Sequence, residues 1–329
     1  MINVAVIGCG AMGKNHVRVY SEIPNVKLLA VADPDKKSID LMAKKFNINK
    51  YLDYKDMIKS EKIDLVSIVA PTIFHKEIAL YCMEKKIHVL LEKPITAEVQ
   101  SGLDVIASAK KNNVKLMIGH IERFNPAIIE LKKRLDKKEL GKVFKIDVNR
   151  IGPFPARIRD VGVVIDLAVH DIDIMRFLLN SEVKRLFAET EQEIHTQCED
   201  VLSALLKFEN DTICNLNINW ITPTKIRKLY ITGEKGMFIV DYLKQDLYFY
   251  ENKDLVNGEN YNYLVKGVSE GNMIKYSINR KEPLRAELEH FVDCVENNKE
   301  PLISGKDGLK ALEIAQKIIS SANNNQIMK

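Results

Sequence analysis

Three sets of residues in this chain have types and spacings suited to chemistry. Gly8, Gly10 and Gly13 form a G-x-G-x-x-G run directly after the apolar stretch Val4–Ile7 and open a helical pattern. At such a junction the first glycine permits a tight turn, the second lets a pyrophosphate approach the backbone, and the third lets helix and strand pack closely. The N–H groups of Ala11, Met12 and Gly13 would then face the negative charge at the helix start. Asp33 ends the second apolar run, 20 residues after Gly13. A carboxylate there accepts hydrogen bonds from ribose hydroxyls and repels a 2′-phosphate, so the expected cofactor is NAD. Lys36 and Lys37 follow closely and leave NADP open; Asp33 could instead cap the next helix.

The second set could move a proton from a hydroxyl. Lys93 stands at the C-terminal end of an apolar strand, where ligands of doubly wound sheets bind, and could hydrogen-bond a reacting oxygen. His170 has the pKa range of a general base, and Asp166, four residues earlier, shares its helical face. Lys93 and His170 could exchange the roles of base and oxyanion cation. His120, at the tip of the last apolar strand, could line the site of the nicotinamide. The third set suits an anionic substrate. Arg123, Arg157 and Arg159 could fork onto a diphosphate, and Asn125 could bind a hydroxyl or acetamido group.

These residues need a scaffold. Up to about residue 120, short apolar runs (Val4–Ile7, Lys27–Ala32, Leu65–Ala70, His88–Leu91, Leu116–Gly119) alternate with the amphipathic segments Lys37–Phe46, His75–Lys85 and Glu98–Lys111. Continuous apolar strands alternating with helices predict a parallel, doubly wound sheet covered on both faces. Beyond it come a helix from Pro126 to Leu135, a strand Lys142–Arg150, a loop Gly152–Asp160 and an apolar helix Val163–Leu179. Strands then follow one another from Arg185 to Tyr250, with 252–272 read as a long loop and two helices, Pro283–Asn297 and Lys306–Asn323, closing the chain. The expectation is an α/β protein: an N-terminal Rossmann domain, 1–121, and a C-terminal α+β domain, 122–329, with an open, mainly antiparallel sheet.

Further segments carry a family resemblance. Val69-Ala70-Pro71-Thr72 with His75, then Glu92-Lys93-Pro94, then Asp166-Leu167-Ala168-Val169-His170 resemble the Gfo/Idh/MocA family of sugar and cyclitol oxidoreductases. The resemblance implies that Ala70, Pro71, Thr72, His75, Glu92 and Lys93 line the cofactor, and that Lys93, Asp166 and His170 are catalytic and touch substrate. Gly119–Pro126 and Gly152–Asp160 are similar to the branch that oxidises UDP-N-acetylglucosamine at C3. That implies a sugar-nucleotide substrate, with Arg123, Asn125, Arg157 and Arg159 in its site. Alternatives are another sugar or cyclitol, such as inositol or a UDP-GlcNAc-uronate, a glycosidase using NAD transiently, and a cofactor-sensing regulator.

Composition narrows the rest. The 329 residues are 46% hydrophobic and 29% charged, with net charge +4. No dense basic run with interleaved aromatics suggests nucleic-acid binding. No apolar stretch approaches the ~20 residues that span a bilayer, and the first apolar run is too short for a signal peptide, so a cytoplasmic protein without membrane association is expected. Cys9, Cys82, Cys198, Cys214 and Cys294 are scattered, without a C-x-x-C pair. They read as structural thiols, with no disulfide framework and no metal site. The open face of the second sheet is expected to be apolar and buried in a homodimer or homotetramer.

Overall fold

The strand signals of the first half come from residues that end up buried on both faces of one sheet. The computed structural model describes residues 1–155, 161–194, 197–254 and 268–329. In chain order the elements begin β1 (Ile2–Ile7), α1 (Ala11–Glu22), β2 (Val26–Ala32), α2 (Lys36–Phe46), β3 (Asn49–Tyr51) and α3 (Tyr54–Ser60). Then come β4 (Leu65–Ile68), α4 (His75–Glu84), β5 (His88–Glu92), α5 (Val99–Asn112), β6 (Leu116–Gly119) and α6 (Pro126–Asp136). They continue as β7 (Val143–Pro153), α7 (Val169–Leu179), β8 (Val183–Glu191), β9 (Val201–Phe208), β10 (Ile213–Asn219) and β11 (Ile221–Gly233). The last are β12 (Gly236–Asp241), β13 (Asp246–Asp254), β14 (Val268–Lys275), α8 (Pro283–Glu296) and α9 (Gly305–Asn324).

The chain divides into two compact units. The first is Met1–Phe124 with Glu282–Glu313; the second is Asn125–Lys281 with Ile314–Lys329. In the first unit six parallel strands run in the order β3-β2-β1-β4-β5-β6. The order reverses between β1 and β4, which is where such sheets bind ligands beyond the carboxyl ends of their strands. All four residues of β4 and of β6 are buried, so these strands read as continuous apolar runs. The short, mostly exposed β3 carries no such run and is not among the strands expected from the sequence.

Helix boundaries follow local chemistry. Asp35 caps α2 by accepting from the Lys37 and Ser38 N–H groups, and α2 and α5 both end on left-handed asparagines, Asn47 and Asn113. The first unit also takes back a segment that a boundary after residue 121 assigns to the second. Pro283, at the first turn of α8, starts a helix that packs on α1 and on the short 3₁₀ turn Ile121–Phe124. Gly308 lies so close to β6 that a Cβ there would sit 2.8 Å from Ile118.

The second unit holds an eight-stranded sheet, β14-β13-β12-β11-β7-β10-β9-β8. Its neighbours are antiparallel except for β7 and β10, which run parallel. Burial alternates along β7, β9 and β12, because helices cover one face only. The open face is mixed where it was expected to be apolar, with Leu205 and Ile213 exposed on it beside polar pairs. Asn215 donates to Asp147 at 2.7 Å and Asn217 to Asn149 at 2.9 Å across the β7–β10 pair, a polar ladder in which exposed Leu205 is a neighbour. The expected loop over 252–272 is also partly strand, since Asn252–Asp254 extend β13 and pair with Val268–Glu270 of β14.

Candidate active site

The glycine turn after β1 is shaped by contacts that no side chain could share. Gly8 adopts φ +100°, and a Cβ there would lie 2.5 Å from the Val69 carbonyl oxygen. A Cβ on Gly13 would meet the Gly8 carbonyl oxygen at 2.0 Å. Gly10 differs: no described atom lies within 4 Å of its would-be Cβ, and no side chain caps α1. Two glycines thus close the turn on itself, and the third leaves an open cradle at the N–H groups of Ala11, Met12 and Gly13. That is the shape and charge a pyrophosphate needs.

Asp33 is tied into this turn. Its Oδ2 accepts the Cys9 N–H at 2.6 Å and its Oδ1 the Asp35 N–H at 2.8 Å. Capping α2 falls to Asp35, which leaves Asp33 half-exposed with acceptor capacity for a ribose. The Cys9 thiol is pushed up to about 12, chiefly by burial and further by the Asp33 charge, so it stays protonated and unreactive. Lys36 and Lys37, the residues that would favour NADP, are exposed at the start of α2.

The other expected cofactor residues sit at the ends of β4, β5 and β6. Ala70, Pro71 and Thr72 are accessible. His75 is buried instead, with Nδ1 2.9 Å from the Pro94 carbonyl oxygen and Nε2 2.9 Å from that of Ala70. It staples the loops after β4 and β5 rather than presenting its ring. Burial pulls its pKa down, against the pull of the two carbonyls. Glu92, buried at the end of β5, meets His16 Nε2 at 3.1 Å through Oε1 and accepts the Lys93 N–H at 3.2 Å through Oε2. Burial would raise its carboxyl, but His16 and Lys93 outweigh burial and hold it below the usual range. A Cβ on Gly119 would lie 3.0 Å from that carboxyl group, so the glycine makes room for it. Lys93 follows β5 directly and is half-buried; His120 follows β6 and is buried.

Two of the expected substrate residues have structural partners. Arg123 pairs with Asp307 at 3.1 Å and donates to the Leu302 carbonyl at 3.3 Å. Asn125 caps α6 through the Ala127 N–H, and its amide donates to the Tyr242 carbonyl, both at 3.1 Å. Arg157 and Arg159 lie outside the described residues.

Asp166 and His170 are half-buried in the second unit. The helix expected over Val163–Leu179 begins as a single π-helical turn, Val164–Ala168, in which the Val169 N–H reaches back to the Val164 carbonyl. Asp166 lies in that wider turn and His170 in the regular α7, so their four-residue spacing does not describe one uniform helical face. Such turns recur at functional sites. Sequence reasoning missed what supports it. Glu199 accepts the Val163 N–H through its carbonyl at 2.9 Å and the Val164 N–H through Oε1 at 3.1 Å. A Cβ on Gly162 would collide with the Glu199 carboxyl at 2.1 Å. Next to His170, fully buried Asp171 takes a bidentate pair from buried Arg150 of β7, Nε–Oδ2 2.5 Å and Nη2–Oδ1 3.1 Å. The one available signal was an arginine and an aspartate at core positions of an apolar strand and helix.

Comparison with known proteins agrees with this layout. Residues 2–120 match the oxidoreductase family's NAD-binding Rossmann fold, and residues 132–329 match its C-terminal alpha/beta domain. The chain belongs to the Gfo/Idh/MocA oxidoreductase family. Its first unit therefore carries the family's NAD-binding Rossmann domain. When bound, NAD supplies the acceptor for hydrogen leaving a C–H bond. A UDP-N-acetylglucosamine 3-dehydrogenase from Acidithiobacillus ferrooxidans is 26% identical over 96% of both chains. Its solved structure superposes with a TM-score of 0.85 at 25% identity, covering 98% of each chain. The scyllo-inositol 2-dehydrogenase (NAD(+)) of Bacillus subtilis is 27% identical over 98% of this chain and 94% of that one. An Agrobacterium radiobacter oxidoreductase solved with NAD+, L-tartaric acid and magnesium shares the fold, with a TM-score of 0.87 at 20% identity over 100% of this chain and 98% of that one. Among the described residues, no helix is long and apolar enough to cross a membrane, and no three His, Cys, Asp or Glu residues are grouped to hold a metal ion.

Proposed function

We propose that the protein oxidises the C3 hydroxyl of UDP-N-acetylglucosamine to the 3-keto sugar nucleotide, with NAD as oxidant. The observation that carries this reading is the end-to-end match, in sequence and in structure, to a UDP-N-acetylglucosamine 3-dehydrogenase. His170 takes the hydroxyl proton, Lys93 steadies the developing alkoxide, and Asp166 orients the imidazole or a sugar hydroxyl. Arg157 and Arg159 bind the diphosphate. The chain assembles as a homodimer or homotetramer through the open face of the second sheet, which light scattering of the purified protein checks.

A second reading, oxidation of a free cyclitol, gains from one observation. Arg123, one of three arginines counted for the diphosphate, is committed to Asp307 and Leu302. A panel of UDP-sugars and free polyols, followed by NADH absorbance, separates the two. The expected result is turnover of UDP-N-acetylglucosamine far above free N-acetylglucosamine and inositol. Inositol turning over at least as well would replace the sugar-nucleotide reading with the cyclitol one. Net NADH with the glycosidic bond intact excludes a glycosidase that recycles its NAD.

A further inference from the structure

The first unit contains a second buried carboxyl that the proposed chemistry does not use. Glu287, on α8, is fully buried, and among the described residues neither of its carboxyl oxygens has a hydrogen-bond partner. The Glu92 charge acts on it, and α8, which carries it, packs against α1, the helix of His16 and Tyr20. His16, one turn before Tyr20 and also fully buried, meets Glu92 through Nε2, while its Nδ1 has no partner among the described residues.

The charged and titratable groups around this cluster are few. From α1 come His16, Tyr20, whose hydroxyl pairs with Ser67 of β4 at 2.8 Å, and, at the exposed rim, Arg18 and Glu22, which pair with Glu282 and Arg285 at 3.3 and 3.4 Å. From β5 comes Glu92, with Lys93 beside it. Elsewhere on α8, Arg285 pairs with Glu289 at 2.8 Å, and His290 accepts the Leu302 N–H at 2.9 Å. The 3₁₀ turn under α8 adds buried Glu122, and Arg123, which is held by Asp307.

Two carboxylates in one dry site cannot both ionise at neutral pH. Glu92 has two donors, His16 and the Lys93 N–H, whereas Glu287 has none among the described residues. The negative charge therefore belongs on Glu92 and the proton on Glu287. Burial, and then the Glu92 charge, push the Glu287 carboxyl well above its ordinary range. We propose that Glu92, His16 and Glu287 form a proton-holding cluster in which neutral Glu287 keeps Glu92 on the Lys93 N–H, making Glu287 a positioning residue for Lys93. When Glu287 loses its proton, repulsion drives Glu92 off its donors and the turn carrying Lys93 loosens. The consequence for turnover rests on the role given to Lys93 above; the cluster itself does not.

The test uses the full-length protein, with E287Q and E92Q as near-isosteric variants on the two partners. Infrared spectra across a pH titration should show the carbonyl stretch of a protonated carboxylic acid at neutral pH in the wild type and lose it in E287Q. In E92Q the band should disappear at a pH lower by ~1–3 units, because the repelling charge is gone. Amide hydrogen exchange at Lys93 should lose protection in the wild type over the pH range where that band disappears, and keep it in E287Q. A neutral-pH band that persists in E287Q, or is missing from the wild type, overturns the cluster. Lys93 protection that does not follow the band overturns the positioning role. Neither readout needs a substrate, so failure of every sugar in the panel would sink the proposed function and leave this test intact.

Discussion

At the ends of β1 and β2, the first unit builds its ligand edge largely from backbone. At Gly8 and Gly13 an added Cβ would come within 2.5 and 2.0 Å of a backbone carbonyl oxygen, and Asp33 spends its carboxylate partly on the Cys9 N–H of the same turn. The start of α7 in the second unit is built from side chains that meet across the fold. Glu199 holds the π turn from 35 residues away, and Arg150 holds Asp171 across 21. A backbone cradle suits a cofactor whose phosphates need N–H groups and close approach. A face set by long-range side-chain pairs can change its substrate without disturbing that cradle. The start of α7 should therefore govern specificity and the proton transfer proposed for His170, the turn after β1 with Asp33 should govern cofactor binding, and Lys93, after β5, is the chemical group that the first unit contributes.

The sharpest way to break that division is to remove the proposed chemical groups. Lys93→Ala and His170→Ala should each lower kcat by ~10²–10⁴-fold, the usual contribution of a positioned acid or base, with NAD affinity nearly unchanged. Asp166→Asn should cost less, since it removes orientation and not the base. Steady-state kinetics and NAD titration check all three. Wild-type turnover in both the Lys93 and His170 variants would end the site assignment.

Next in size is the buried ion pair. Arg150→Met alone takes the bidentate cationic partner from the buried Asp171 carboxylate and should cost ~3–5 kcal/mol in urea unfolding. Arg150→Met with Asp171→Leu should recover most of that loss. A double variant no better than the single one would mean that the pair supports α7 by shape and not by charge.

Asp33→Ala should reduce the preference for NAD over NADP by about tenfold or more, since a hydrogen bond to a charged group is worth ~1.5–3 kcal/mol. The ratio of kcat/KM for the two cofactors reads it. Smallest, and most pointed, is a contrast within the glycine turn. Gly13→Ala should cost ~1–3 kcal/mol of stability by overpacking against the Gly8 carbonyl. Gly10→Ala should leave Tm unchanged and raise KM for NAD. If both variants lost Tm equally, the open cradle at Gly10 would be refuted.

The two regions also differed in how far the sequence disclosed them. The glycine turn, Asp33 and the strand-end position of Lys93 were legible because each depends on neighbours along the chain. The polar residues 49–60 hid β3 and α3, which are short and packed on one side. The π turn at Asp166 was invisible, because its extra residue leaves the apolar pattern of Val163–Leu179 intact. Asn125 looked like a ligand for a sugar, but a cap directly after the preceding turn uses the same side-chain chemistry. His75 looked like a cofactor contact, but the fold turns its ring inward onto two carbonyls. Arg150 with Asp171, and Glu92 with Glu287, are partners only once strands and helices have been placed. No local period announces them.

The return of Glu282–Glu313 to the first unit has a consequence for how the protein is made. During synthesis the strands β1–β6 leave the ribosome with α1 uncovered, and Asn125–Lys281 must follow before α8 can close over it. At ~5–20 residues per second that interval is on the order of ten to thirty seconds. Throughout it, the nascent NAD-binding domain shows apolar surface that nothing in its own chain yet covers, and a chaperone holding that surface would be competing with α8 for the same seat.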